Sequence, residues 1–280
     1  MPRRLLKSAA RSAVRSLLPL EGRRRVMGFL ESTPIPTILA RLLPARVHIE
    51  GCEFLVSDAP VGDPRTFFEM LVGSHESAER KLAIEVFKGD AALVDLGAGL
   101  GTVSVCAAAV HQIPYLVACE PNPRLYGLLR RNLAINRIDG QAVPAGIWYA
   151  QAPPALECAG SSWTTGRLTS EESGDSLPTV VPKTLAAIVK EHLADSEFFQ
   201  LLCDIEGLEW QLFAHESTLL AERCLRMVVE LHSDLATPSR FGADTTAPDE
   251  LLGAADRLLE PLGFMRIAQI SVVAAYERDS

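Results

Sequence analysis

The hydrophobic positions change rhythm along the chain. Over residues 3–20, Leu6, Ala10, Ala13, Val14 and Leu17 fall on one helical face, and Arg4, Lys7, Arg11 and Arg15 fall on the other. That spacing predicts an amphipathic helix. Residues 45–56 alternate around Glu50-Gly51 and read as a hairpin of two short strands. Residues 64–89 read as mainly helical, with Gly73 as an interruption. From residue 91 onward, short apolar runs alternate with amphipathic stretches. Strands are expected at 91–96, 115–120, 141–149, 198–204 and 225–231. Helices are expected at 102–111, 123–136, from about 205 to 222, and at 249–259. The runs 264–267 and 271–276 are joined too tightly for a helix, so they must pair antiparallel.

Strands alternating with helices imply right-handed crossovers and a mainly parallel sheet covered on both faces. The expected fold is α/β: seven strands, one reversed near the end, with an N-terminal extension over residues 1–63 and the main domain over 64–280. Residues 151–183 break the rhythm, with Pro153, Pro154, Gly160, Gly166, Gly174, Pro178 and Pro182 among Ser, Thr and Glu. They are expected to form a long loop inserted into the domain, of the kind that shapes a site.

Composition adds boundaries. A hydrophobic fraction of 48% and a charged fraction of 22% exclude a disordered or collagen-like chain. The net charge of −8 is uneven. Residues 1–25 hold eight bases and one acid, a net +7, so the remainder carries −15. An acidic body argues against a nucleic-acid partner. The basic leader suits contact with an anionic membrane surface or a protein, or docking on its own domain. The six cysteines lie at 52, 106, 119, 158, 203 and 224, with no CxxC pair and no zinc-ligand spacing. They suggest a reducing, cytoplasmic setting, peripheral to a membrane if the leader binds one. No run of about 18 apolar residues offers a membrane span.

The most informative segment is Val94-Asp95-Leu96-Gly97-Ala98-Gly99-Leu100-Gly101, placed between an expected strand and an expected helix. Glycines let the backbone approach a ligand, and the helix start offers unpaired N–H groups. The spacing does not make the G-x-G-x-x-G of dinucleotide sites, and no Gly-Lys-Ser/Thr follows for a P-loop. An acid before the glycines, Asp95, would repel a pyrophosphate but suits a ligand with an amino group and a sulfonium. S-adenosylmethionine has both. Glu120 ends the next strand, where an acid can accept from ribose hydroxyls, and Pro121-Asn122 turns into the following helix.

These residues carry a resemblance to the FkbM family of S-adenosylmethionine-dependent methyltransferases, over roughly residues 70–235. The matching pieces are Ser74-His75-Glu76, VDLGAGLGTVS at 94–104, CEPNP at 119–123, LLRRNLAIN at 128–136, CDIEGLEWQLF at 203–213 and VVELH at 228–232. Gly99 stands where the family more often has Asn, and Leu202 where a Lys is common. The resemblance implies a class I, Rossmann-like methyltransferase fold and O-methylation of a small-molecule hydroxyl, on a sugar, lipid-linked glycan or secondary metabolite. It places the cofactor on Glu76, Asp95, Gly97, Ala98, Gly99, Gly101, Glu120, Pro121, Asn122 and Asp204. It places the catalytic work on Asp204, Glu206 and His232.

Such transfer needs the hydroxyl proton removed, which a carboxylate or imidazole can do. Acids in a first helical turn also serve as caps, and His232 with Glu230 could simply tie a strand end. Trp210 and Phe213 read as core. Trp148, Tyr149 and Trp163 flank the long loop and would stack on a ring or anchor the loop. No metal is assigned, although Asp204, Glu206 and Glu230 are the oxygen ligands a cation would use. A protein or nucleic-acid methyltransferase, or a non-catalytic binding module, are the competing readings.

Overall fold

A computed structural model describes residues 46–56, 69–70, 73–150, 155–158, 166–169, 181–233 and 245–279. The expected leader helix and Trp163 lie outside them. The chain runs through β1 (Arg46–Ile49), β2 (Cys52–Leu55), α1 (Ser77–Val86), β3 (Ala92–Leu96), α2 (Thr102–His111), β4 (Leu116–Cys119) and α3 (Pro123–Ile135). It continues through β5 (Gly140–Val143), β6 (Gly146–Ile147), β7 (Ala155–Cys158), β8 (Gly166–Thr169), β9 (Pro182–Lys183), α4 (Leu185–His192) and β10 (Phe199–Cys203). It ends with α5 (Glu209–His215), α6 (Ser217–Arg223), β11 (Cys224–Glu230), α7 (Pro248–Leu259), β12 (Phe264–Ile270) and β13 (Val273–Arg278).

Seven strands form one sheet in the order β12-β13-β11-β10-β3-β4-β5. All are parallel except β13, which runs antiparallel to both β11 and β12. This is a Rossmann-like arrangement, with its one reversed strand where the tight closing hairpin requires it. The sheet separates two cores. Leu93, Leu202 and Val228 face a layer with α1, α2 and α3, while Val94, Leu201 and Met227 face α4, α5 and α7. The period-2 alternation of side chains on these strands produces that division. No described helix is long and apolar enough to cross a membrane. Cys52, Cys106, Cys119, Cys203 and Cys224 are free and buried.

Four expectations need correction. The run 141–149 is not one strand: it breaks at Pro144, after which β6 leaves the main sheet and pairs with β9. Proline has no N–H to donate to a ladder. The expected helix 205–222 starts only at Glu209 and divides at Glu216, whose Oε1 accepts from Tyr149 Oη at 3.2 Å and from Ala186 N at 3.1 Å. The expected loop 151–183 contains the β7–β8 antiparallel pair and β9. Helix α4, capped by Thr184, was not expected at all.

The hairpin β1–β2 turns at Glu50 and Gly51, both with positive φ, as a tight two-residue hairpin loop requires. It is not an appendage, because Val47, Ile49, Phe54 and Val56 join the same core as α1, α2 and α3. Two asparagines four residues apart, Asn132 on α3 and Asn136 at its C-cap, take the place of a neighbouring strand. Asn136 Oδ1 accepts from Glu53 N at 2.8 Å and its Nδ2 donates to Glu53 O at 2.8 Å. Asn132 Oδ1 accepts from Leu55 N at 2.7 Å and its Nδ2 donates to Leu55 O at 3.2 Å. The same Nδ2 donates to Leu100 O at 2.9 Å, inside the glycine turn.

Asn132 is fully buried, so Asn132→Ala would strand three backbone groups. Each orphaned group costs about 1–3 kcal/mol. We expect a loss of about 3 kcal/mol, read as a lower urea midpoint. A midpoint within error of wild type would show that water replaces the amide.

Candidate active site

The carboxyl ends of β3, β4, β10 and β11 converge on one edge of the sheet, the edge at which open α/β sheets bind ligands. Strand β3 is buried along its whole length, and Asp95 is its one charged residue. Gly97, Gly99 and Gly101 all have positive φ, the region glycine enters freely. Gly97 has a second constraint: a Cβ there would run into the backbone carbonyl of Asp204. At Gly101 a Cβ would stand 2.7 Å from Leu129 Cδ1. The turn is held by Gly97 N and Ala98 N, which donate to Cys119 O at 3.0 and 2.9 Å.

Three carboxylates surround this turn. Glu120 follows β4, and its two oxygens accept from Gly99 N at 2.8 Å and Asn122 N at 2.7 Å. Asn122 caps α3, its Oδ1 accepting from Arg124 N at 3.0 Å. Pro121, between them, is partly buried. Burial pushes the Glu120 carboxyl up to about 7. Burial likewise pushes Asp95 up to about 8, with Glu76 and Glu120 adding to the effect.

Glu76, in a left-handed conformation just before α1, is the third. It accepts from the Thr102 hydroxyl and pairs with His75 Nε2 at 3.2 Å. Burial opposes its charge, but His75, Thr102 and Arg80 outweigh burial and hold it below the ordinary range. Burial also opposes a charge on His75, yet Glu76 and Glu69 override it and push that imidazole up to about 10. The buried Arg80 ties this loop down by donating to His75 O at 2.6 Å and Gly73 O at 3.0 Å.

A second cluster adjoins the first through the Gly97–Asp204 contact. Asp204 follows β10, and His232 lies two residues beyond β11. His232 Nε2 stands 3.9 Å from Asp204 Oδ1 and 3.6 Å from Glu206 Oε2. All three expected catalytic residues therefore meet. Burial pushes the Asp204 carboxyl well above its ordinary range, Glu230 and Glu206 adding to this and His232 opposing it. Burial, together with Glu79, pushes Glu230 up to about 8. Burial opposes a charge on His232, but Glu209, Asp204 and Glu206 raise it to about 10. The three carboxylates thus favour positive charge at this position.

Glu209 is the residue whose weight the sequence does not announce. It is fully buried in the first turn of α5. Glu206 and Gly207 both take positive φ and fold the chain back over it. Its carboxylate accepts from Ile205 N at 3.0 Å, Gly207 N at 3.0 Å and His232 Nδ1 at 3.1 Å. The available signal was an acid at a helix start two residues after a glycine, which reads as an ordinary cap. Trp210 and Phe213 are core as expected, and Trp210 Nε1 also donates to His232 O at 2.8 Å. Trp148 is buried, while Tyr149 stacks on His215 at 5.0 Å and so anchors its segment.

No protein-family model matches the chain, and no curated protein matches it. Similar solved structures include M. jannaschii TYW2 in complex with AdoMet, 15% identical, covering 85% of this chain and 88% of that one, with a TM-score of 0.40. Another is a precorrin-6y C5,15-methyltransferase from Geobacter metallireducens GS-15, 17% identical, covering 74% and 89%, with a TM-score of 0.38. A protein in the NADB-Rossmann superfamily from Streptococcus agalactiae is 10% identical, covering 71% and 67%, with a TM-score of 0.41. At these scores the likeness is distant.

Asp95 and Glu120 hold their protons to about 8 and 7 when folded, against ordinary values of 3.8 and 4.5. Between those limits the native state binds more protons than the unfolded chain, so these groups make stability fall as pH rises. Asp95→Asn removes the larger contribution. The stability of wild type relative to Asp95→Asn should therefore decline from pH 5 to 8, by at most about 1.4 kcal/mol per pH unit. Urea midpoints across that range check it; a flat difference would contradict the protonated Asp95.

Proposed function

We propose that the chain is an S-adenosylmethionine-dependent methyltransferase that transfers the methyl group to a hydroxyl oxygen of a small molecule. The observation that carries this reading is the set of three carboxylates, Glu76, Asp95 and Glu120, around a glycine turn at a helix start. An anionic phosphate would meet repulsion there. A ligand bearing an ammonium and a sulfonium would meet complementary charge. Glu120 fixes the turn with one lone pair on each oxygen and keeps others for ribose hydroxyls. The glycines leave the backbone open to close approach by the cofactor.

The second cluster supports the chemistry. In the transfer, the acceptor oxygen attacks the methyl carbon in line. The carbon–sulfur bond breaks with its electron pair going to sulfur, and the product is a neutral thioether. The hydroxyl proton passes to a base, Asp204 or Glu206 in this reading. His232 stands between the two carboxylates and helps to hold them in position. Most of the rate gain comes from positioning acceptor and donor at one edge of the sheet.

Binding a cation beside Asp95 and Glu120 favours their charged forms, so protons leave as the cofactor enters. Affinity for S-adenosylmethionine should then rise from pH 6 to 8, by up to about tenfold per unit for each proton released. Calorimetry in buffers of different ionisation enthalpy reads this directly. No heat at millimolar cofactor would overturn the cofactor assignment. Asp204→Asn should keep cofactor binding but lower turnover about 10²- to 10⁴-fold, the range for loss of a general base. Methyl-labelled cofactor with a cell extract identifies the acceptor class, and labelling of protein or RNA alone would refute a small-molecule acceptor.

A further inference from the structure

Three side chains at the carboxyl edge of β10 and β11 share a geometry that acid–base chemistry alone does not require. Asp204, Glu230 and His232 each offer one ligand atom, and these atoms lie within 4.8 Å of one another. The backbone sets this up. Cys203 pairs with Val229 across the two parallel strands, so Asp204 comes level with Glu230 at the next position. His232 follows Glu230 by two residues, so in extended chain the two share a side.

We propose that Asp204, Glu230 and His232 bind one divalent cation of the Mn²⁺ class. The inference departs from the expectation of a metal-free site. It extends the function proposed above, because the cation would hold the acceptor hydroxyl beside the methyl donor.

Besides the cluster of carboxylates, two observations point to a ligand. The first is the aim of the imidazole. Glu209, itself fully buried and anchored by Ile205 N and Gly207 N, engages His232 Nδ1 at 3.1 Å. Trp210 Nε1 fixes the His232 backbone oxygen at 2.8 Å. Nε2 is therefore the nitrogen presented to Asp204 and Glu206. A carboxylate behind one ring nitrogen with the other aimed at a cation is how metal sites orient histidine.

The second is an unmet demand. Asp204 Oδ1 is closed to solvent and has no hydrogen-bond partner. Its nearest cationic atom is His232 Nε2 at 3.9 Å, beyond hydrogen-bond reach. A plain imidazolium–carboxylate pair closes to contact, as His232 does with Glu209. Two ligand atoms about 2.1 Å from a shared ion instead stand roughly 3–4 Å apart. The observed gap matches the second geometry.

The surrounding groups agree in sign. Glu206, Glu209 and Glu79 all raise the negative potential at this point, Glu79 from α1 by acting on Glu230. Two carboxylates and one imidazole favour Mn²⁺ over Mg²⁺, which prefers oxygen alone and gives up water reluctantly. Glu206 Oε2, 3.6 Å from His232 Nε2, is placed to join as a further ligand. Water and the acceptor oxygen would fill the remaining positions. Gly97 abuts Asp204, so an oxygen on this ion would lie next to the cofactor turn.

The test uses the full chain and Mn²⁺ alone, at fixed pH and without cofactor. Electron paramagnetic resonance should show the free-ion signal suppressed up to one equivalent. Pulsed measurements on the bound ion should show coupling to one directly bonded nitrogen. His232→Ala should abolish that coupling and weaken binding more than tenfold. Glu209→Gln should weaken binding about 10- to 100-fold, the range for outer-shell partners. No binding by wild type at millimolar Mn²⁺, binding without nitrogen coupling, or binding no tighter than Mg²⁺ would each overturn the proposal. The wild-type coupling decides the matter even if a variant fails to fold. Because no cofactor is present, a failure here leaves the calorimetric test of S-adenosylmethionine untouched, and the reverse also holds.

Discussion

The close approach of Gly97 to the carbonyl of Asp204 is the constraint on which the site depends. Strands β3 and β10 are parallel neighbours with Leu96 opposite Cys203, and Asp204 N continues the ladder by donating to Leu96 O at 3.0 Å. Where the two chains leave the sheet they stay in contact instead of diverging. One becomes the glycine turn and the other becomes the loop toward Glu206. A residue with a side chain at Gly97 would push those two loops apart, and the carboxylates around the turn would lose their neighbours beyond it. The pairing of the carboxylates around the glycine turn with the Asp204, Glu206 and His232 cluster follows from a backbone contact.

The electrostatics follow from the same convergence. Glu76, Asp95, Glu120, Asp204, Glu209 and Glu230 all gather at one sheet edge, with few cations among them. The cations present are themselves buried or anchored: His75, Arg80 and His232. Burial and mutual repulsion push the carboxyls of Asp95, Glu120, Asp204 and Glu230 all upward. A folded protein tolerates such crowding where ligands supply the missing positive charge.

The fold was legible because alternation between apolar runs and amphipathic stretches is a local signal, and seven runs carried it. The glycine turn was legible for the same reason: Asp95, Gly97, Gly99 and Gly101 fall within seven residues. What the sequence hid depends on distant partners. The break at Glu216 has no Gly or Pro to mark it; Tyr149 and the start of α4 claim its carboxylate. Glu209 looks like any first-turn acid until the fold brings His232 to it across 23 residues of sequence. Helix α4 follows so closely on the Pro- and Gly-rich segment that its short apolar run did not stand out. The exception is the division of 141–149, because Pro144 was in view and argued against one strand.

The asparagines of α3 have a consequence for how the molecule meets others of its kind. An edge strand such as β2 shows a row of unpaired donors and acceptors, a template on which another chain can add a strand. Here the Glu53 and Leu55 amides and carbonyls are already occupied by Asn136 and Asn132. The helix thus closes this hairpin edge with side chains, and strand-by-strand growth from that side is blocked. The closing-hairpin edge at β12, with Met265 and Ile267 exposed, has no such cover among the described residues. The two margins of the fold therefore differ in their exposure to aggregation.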